Sequence, residues 1–450
     1  MELRIQNMES LASHGNIAGR KAMVEILEAG LQASDPYHNT KKLLRLEDNK
    51  LIVGGKEFEP TGSPKSGDEI FDLSRIANIY VIGAGKGSQR MARAIEDILG
   101  DRITGGHVID KKGHPVILKK ISVTLGGHPV PDEDCVEGSK KILEITKGLS
   151  ESDLVFTCIS NGVSSALTLP VPGVSLEDVR KTTYILQLQH GVPTSDLNTV
   201  RNHIDMLKGG RISRYIQPAK AIHIIAHSPS SYEQLMYQNY WLHTLPDGTT
   251  FQMAIDNLKK WDAWDEVPAS VRKFLEAADP QFETVKAEEF EKWPCRIFGL
   301  VPGYKYTAKF PAAMKKAEEL GFKPVVLTDE LYGIEALHAG KYVAAICKTI
   351  ERSGHPFEPP CALFTTGEMV VTVGKETGIG GRNQEFVLSA AQEIAGSKNI
   401  VIGSVDTDGT DGPGIQFAEE LGDMPTCLAG GIVDGKTVKE AKQAGIDVTE

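Results

Sequence analysis

Three short apolar stretches each run straight into a turn of glycine or hydroxyl residues, and this repetition restricts the chain more than any other feature. Ile79–Ile82 meets Gly83-Ala84-Gly85-Lys86-Gly87 and then a helical pattern with Met91, Ile95, Ile98 and Leu99 on one face, closed by Gly100. "DLVFTCIS" (153–160) runs into "NGVSSAL", and "AIHIIA" (221–226) follows helix-spaced residues 176–189. Apolar strands alternating with helices predict an α/β protein with a mostly parallel, doubly wound sheet, whose ligands lie beyond the carboxyl ends of the strands. The turns after Ile82, Ile159 and Ala226 are then expected to face one crevice.

The chain of 450 residues has room for more than one domain. A charged stretch from about 246 to 294, with three of the four tryptophans, reads as a helical connector near 246–290, and a second α/β pattern follows Pro294. The expected division is residues 1–290, a Rossmann-like sheet domain with its connector, and residues 291–450, a smaller α/β domain. Residues 20–33 read as an amphipathic helix stopped at Ser34-Asp35-Pro36. The formal charge of -11 argues against nucleic acid or an anionic membrane as a partner. Six scattered cysteines without a C-x-x-C pair, an N-terminus "MELRIQNMES" without an apolar core, and no run of about 18 apolar residues fit a cytoplasmic location.

Neither standard phosphate fingerprint fits the first turn. The dinucleotide pattern finds Gly83 and Gly85 but puts its third glycine at Ser88, and the P-loop pattern would need glycine at Tyr80 and a hydroxyl at Gly87. Lys86 nevertheless stands where glycines open the backbone to an anion. Gly162-Val163-Ser164 is not a nucleophile elbow, because Ala166 occupies the last glycine position. Ser164 or Ser165 reads as a helix cap, in a geometry that also suits an anion. "NTVRNHIDMLKGGR" (198–211) puts Val200, Ile204 and Leu207 on one helical face, and Arg201, Lys208 and Arg211 near a Gly209-Gly210 terminus. Three cations there suit an oxyanion. "GGRNQEF" (380–386) offers Arg382, Asn383, Gln384 and Glu385. "DTDGTDGPG" (406–414) fails the EF-hand template at Thr410, Asp411 and Phe417, leaving a turn or a Mg²⁺-associated carboxylate.

Taken together, "GLQASDP", "VIGAGKG", "LGGHPVPDE", "NTVRNHIDMLKGGR", "GEMVVTVG", "GIGGRNQEF" and "DTDGTDGP" occur in the order found in the glycerate 2-kinase family, whose second half is the MOFRL domain. The chain resembles that family from about residue 20 to 435. The resemblance implies a Rossmann-like domain plus a smaller α/β domain. It also implies transfer of the γ-phosphoryl of ATP, with Mg²⁺, to the 2-hydroxyl of D-glycerate or a related hydroxy acid. It implies an invariant lysine at Lys86 and an invariant arginine at Arg382, with Gly83, Gly85, Asn161, Gly162, Ser164, Ser165, Arg201, Lys208, Gly209, Gly210, Arg211, Asn383 and Gln384 holding nucleotide or substrate. Glu385, Asp408 and Asp411 are the expected metal carboxylates. The assembly is left open, with a homodimer as one state.

The chain departs from the family pattern in three places. Ser160-Asn161-Gly162-Val163-Ser164-Ser165-Ala166 replaces a Ser-Gly-Gly-Gly-Ser-Ala loop. "HSPSSYEQLMYQNYWLHTLPDG" (227–248) replaces a segment carrying an acidic residue near Ser228. "GIQFAEELGDMPTCLAGGIVDG" lengthens the path after "DGTDGP", and the chain ends at Glu450 before the family's tail. Asp205, Glu368, Glu385, Asp408 and Asp411 are the carboxylates that would stand in for the lost acid. Tyr232, Tyr237, Tyr240 and Trp241 are expected to shape a pocket for a bulkier substrate. The alternative is a weakly catalytic nucleotide- or hydroxy-acid-binding member. A hydroxypyruvate reductase is disfavoured by the absent third glycine.

Overall fold

The computed structural model describes residues 3–227, 230–301, 309–372, 380–412 and 428–446. Its contacts divide the chain into two units, Pro36–Tyr304 and Met1–Asp35 with Lys305–Glu450.

The larger unit is built on a six-stranded parallel sheet ordered Ser122–Gly126, Gly105–Lys111, Ile79–Ala84, Leu154–Ile159, Lys220–Ile225, Cys295–Gly299. Numbered along the chain this is 3-2-1-4-5-6, the doubly wound order, which reverses between Ile79–Ala84 and Leu154–Ile159. Register pairs Val81 with Phe156 and Cys158 with Ile224. Alternate residues feed separate cores on the two faces: Val81, Phe156, Cys158 and Ile224 pack with Met91, Ile95 and Leu99 of the Ser88–Leu99 helix. Ile82, Val155 and Ile225 pack with Ile142 and Ile212 from helices on the other face.

Sequence analysis places Cys295–Gly299 beyond residue 290, in the second domain. Here all five residues are buried as the sixth strand, parallel to Lys220–Ile225. The segment read as a connector has its own core: Phe251, Leu258, Val271 and Leu275 pack against Leu197, Val200 and Ile204. The helix read over 198–211 is Thr194–His203, and Arg211–Ile216 is separate. The Asp205 carboxylate breaks it by accepting from the N–H groups of Leu207 (2.9 Å) and Lys208 (3.1 Å), so Leu207 lies past the helix end.

In the second unit, Lys323–Thr328 pairs in parallel with Cys361–Thr365, and Val401–Val405 pairs antiparallel with Gly430–Asp434. The Ile17–Ala33 helix belongs here: Met23 and Leu27 lie close to Gly403, and Ile26 packs with Phe310 and Phe364. Among the described residues no helix is long and apolar enough to cross a membrane.

Candidate active site

The sheet's order reversal brings the turn after Ile79–Ala84 against the turn after Leu154–Ile159. Gly85 has φ +114°, and a Cβ there would lie 2.5 Å from the backbone oxygen of Ser160, so no other residue lets the turns close. Two hydrogen bonds fix the close approach, Lys86 N–H to Asn161 O (2.9 Å) and Gly87 N–H to Ser160 Oγ (2.8 Å), while Gly85 N–H donates to Ile109 O (3.0 Å) on the neighbouring Gly105–Lys111 strand. Those N–H groups serve protein acceptors, so the glycines join two turns. A Cβ on Gly162 (φ +84°) would touch Lys86 Cγ at 3.3 Å, so Asn161 and Gly162 sit directly beside the lysine.

Downstream of Gly162, Ser165 Oγ donates to Gly127 O at 2.9 Å, and Ser164 Oγ lies 2.9 Å from His243 Nε2. Ser164, Thr168, Thr183, Arg201, Asp205 and Lys208 line a small recess with Pro131, Val179 and Ile204. The expected cations divide sharply. Lys208, 2% exposed, gives its donors to Leu167 O (2.5 Å), Thr168 Oγ1 (3.1 Å) and Asp205 Oδ2 (2.6 Å). Arg211, 1% exposed, donates to Phe282 O at 2.6 Å and to the carbonyls of Asn202 and Asp205. Gly210 N–H donates to His243 O at 3.0 Å and Gly209 O accepts from Val285 N–H at 2.9 Å, so this diglycine tethers neighbouring segments.

Arg201 meets side-chain oxygens instead of backbone carbonyls. It donates to Thr183 Oγ1 (3.2 Å) and Gln187 Oε1 (3.4 Å) and has no carboxylate partner among the described residues. Burial pushes its pKa down to about 10, which still leaves it cationic at neutral pH.

In the other unit, Arg382 opens the Arg382–Glu393 helix and pairs with Glu368 at 2.8 Å. Asp411 accepts from Asn383 N–H (3.1 Å), Asn383 Nδ2 (3.1 Å) and Gln384 N–H (2.8 Å), where the helix dipole favours a carboxylate. Asp408 accepts from Thr410 N–H at 3.1 Å.

A family model described as a domain of unknown function, DUF4147, matches residues 22–228, and the MOFRL family model matches residues 361–450. A glycerate 2-kinase of Pyrococcus horikoshii is 36% identical over 431 residues, covering 95% of this chain and 89% of that one. The chain belongs to the glycerate 2-kinase family. A D-glycerate 2-kinase of Thermotoga maritima is 33% identical over 87% of each chain. A crystal structure of a glycerate kinase from Thermotoga maritima matches with TM-score 0.67 at 30% identity, covering 95% of this chain and 90% of that chain. A crystal structure of a Pyrococcus horikoshii protein matches with TM-score 0.65 at 35% identity, covering 96% and 90%.

Set against the pattern of the glycerate 2-kinase family, the structure groups Lys86 with Gly83, Gly85, Asn161 and Gly162, and places Ser164 with Arg201. The residues expected to hold Mg²⁺ sit as follows. Both oxygens of Asp411 already accept from the helix, and among the described residues no group of three or more His, Cys, Asp or Glu side chains could hold a metal. Asp205 is likewise engaged with Lys208, and Glu368 with Arg382. Ser228 and residues 413–427, two of the places where the chain departs from the family pattern, lie outside the described residues. Of the four aromatics expected to shape a pocket, Tyr232 and Trp241 pack on the core, Tyr237 is exposed, and none of the four lines the recess. Sequence reasoning missed His243, which lies in an aromatic segment and whose signal is its spatial meeting with Ser164.

Proposed function

We propose that this chain is an ATP-dependent kinase acting on the hydroxyl of a small hydroxy acid, D-glycerate first among them, to give 2-phosphoglycerate and ADP. The observation that carries the reading is the 36% identity to a glycerate 2-kinase across nearly the whole chain. The described residues supply a fitting frame, a doubly wound sheet with a lysine-bearing glycine turn at its order reversal. The substrate hydroxyl oxygen forms a bond to the γ-phosphorus, the bond to the ADP oxygen breaks, and the hydroxyl proton is released. Such transfers depend on positioning and neutralisation of the phosphoryl oxygens; for Lys86 and for Arg382 we propose either that work or the anchoring of the substrate carboxylate. We take the enzyme as cytoplasmic, in line with free thiols at Cys135, Cys158, Cys295, Cys347 and Cys361.

Release of ADP from ATP on addition of D-glycerate, with product identified as 2-phosphoglycerate by phosphorus NMR, is the expected result. A panel of C3 to C6 hydroxy acids gives the substrate range. Silence across the panel while calorimetry still shows ATP or a hydroxy acid binding would overturn the kinase reading in favour of a binding protein.

A further inference from the structure

Beside the Lys86 turn a histidine is clamped in one orientation. Asp110, near the carboxyl end of the Gly105–Lys111 strand, is 2% exposed. One of its oxygens accepts from Gln89 Nε2 at 2.7 Å, and the other accepts from Lys111 N–H at 2.7 Å and lies 3.0 Å from His114 Nδ1. Taking two N–H groups already, Asp110 faces the ring as an acceptor. The proton of a neutral His114 therefore sits on Nδ1 and the lone pair on Nε2. A carboxylate that fixes the tautomer and the plane of an imidazole is what a proton-accepting histidine requires.

The turn that follows the strand has its own fastening. Gln89 donates to Pro115 O at 3.0 Å and accepts from Ile117 N–H at 3.0 Å, Arg93 donates to Ile117 O at 2.7 Å, and the backbone closes through His114 N–H to Lys111 O at 3.2 Å. The imidazole is thus held by this network and is not the group that holds it. Its place is next to Lys86. Gln89 lies three residues after Lys86, in the first turn of the Ser88–Leu99 helix, and Ile109 O, one residue before Asp110, accepts from Gly85 N–H at 3.0 Å. Asp110 and His114 stand at the carboxyl end of the strand that pairs with Ile79–Ala84, the edge where a doubly wound sheet presents ligands. With its side chain 14% exposed, His114 keeps a route for a proton to water.

We propose that His114 Nε2 takes the proton of the substrate hydroxyl as that oxygen bonds to the γ-phosphorus, with Asp110 and Gln89 as positioning residues. The hydroxyl proton moves to Nε2, and the bond from the γ-phosphorus to the ADP oxygen breaks with its electron pair left on ADP. The imidazolium so formed is stabilised by Asp110 and gives the proton up to water. The proposal rests on the kinase reading and names the acceptor of the proton that the transfer releases. Other charged groups around the ring have partners of their own: Lys112 pairs with Asp132 and Asp134 at 2.7 Å each, and Arg93 on the helix pairs with Asp97 at 3.0 Å, while Lys111 flanks Asp110 on the strand. Asp110 is the carboxylate that meets the imidazole.

Steady-state kinetics of the full chain with D-glycerate and ATP test it. His114→Gln is expected to lower kcat about a hundredfold or more, the usual contribution of a positioned proton acceptor, with both KM values nearly unchanged. A residue of packing alone would lower the thermal midpoint and leave the folded fraction active. Wild-type kcat is expected to fall on the acid side as His114 takes up a proton, and His114→Gln to lose that limb. Asp110→Asn removes the charge that favours the imidazolium, so its limb is expected at lower pH. Added imidazole is expected to restore activity to His114→Ala by accepting the same proton from the vacated space. An unchanged kcat in His114→Gln, or an acid limb that survives in that variant, would overturn the proposal.

The wild-type control keeps the proposal separate from the kinase reading. A wild-type chain that does not phosphorylate D-glycerate ends that reading and the proposal with it, whereas an active wild type beside a fully active His114→Gln ends the proposal alone. Should His114→Gln not fold, histidine-selective ¹⁵N NMR of the wild-type chain decides, the His114 signal being identified by its shift in Asp110→Asn. A neutral ring protonated at Nδ1 is expected. A proton on Nε2 would leave that atom nothing to accept with and would overturn the proposal.

Discussion

Three basic residues on one short stretch have different tasks because each already has a different number of protein acceptors. Lys208 is held by two protein oxygens and the Asp205 carboxylate and Arg211 by backbone carbonyls with its Nε unpartnered, whereas Arg201 meets only the neutral side-chain oxygens of Thr183 and Gln187 beside a small recess. Burial alone would drive the proton off Lys208, and Asp205 at 2.6 Å opposes that loss. Removing one member of a buried pair strands the other charge. Lys208→Met is therefore expected to cost about 3 kcal/mol of stability, read as a lower urea midpoint. A variant that keeps its midpoint but loses substrate affinity would make Lys208 a ligand group instead.

At the scale of the strand, two histidines sit where a parallel sheet usually carries aliphatic residues. His107 on Gly105–Lys111 meets Ser122 Oγ (2.7 Å) and Thr124 Oγ1 (3.0 Å), and His223 on Lys220–Ile225 meets Thr157 Oγ1 (2.9 Å). Burial pushes their pKa values down from 6.5 to about 4 and about 3. The unfolded chain takes up these protons as pH falls through 6.5 while the folded sheet refuses them. Their contribution is thus complete above that pH and is lost toward pH 4, at up to about 1.4 kcal/mol per pH unit for each ring. Urea midpoints at pH 7, 6 and 5 are expected to fall accordingly, and less steeply in His223→Gln; an equal slope in that variant would remove His223 from the account. These polar positions also explain what the sequence hid. Ile79–Ala84, Leu154–Ile159 and Lys220–Ile225 were legible as apolar runs ending in turns, while Gly105–Lys111, with His107 and Asp110, has no such signature. The Lys86 turn was legible from its glycines. The Ser164–His243 meeting was not, because 79 residues separate the partners and only the fold brings them together.

At the scale of the whole molecule, one unit is continuous in sequence and the other is made from both ends of the chain. Residues 36–304 contain a six-stranded sheet with a core on each face and a third core among helices, which is what an independently folding unit requires. Residues 305–450 lack an essential element when taken alone. Arg20, from the Ile17–Ala33 helix, is 2% exposed and places its Nε 2.5 Å from Asp434 Oδ2, with a further donor 3.0 Å from Thr437 Oγ1. Removing residues 1–35 would leave Asp434 inside the unit without its cation, at a cost of about 3–5 kcal/mol, and would bare the surface that Met23, Ile26 and Leu27 cover. That loss approaches the whole stability of an ordinary domain of this size, about 5–15 kcal/mol. A fragment of residues 36–304 is expected to unfold cooperatively in urea. A fragment of residues 305–450 is expected to do so only when a peptide of residues 1–35 is added, with Arg20→Met in that peptide weakening the rescue. Cooperative unfolding of 305–450 alone, at a midpoint the peptide does not change, would show that the amino-terminal helix decorates this unit and does not complete it.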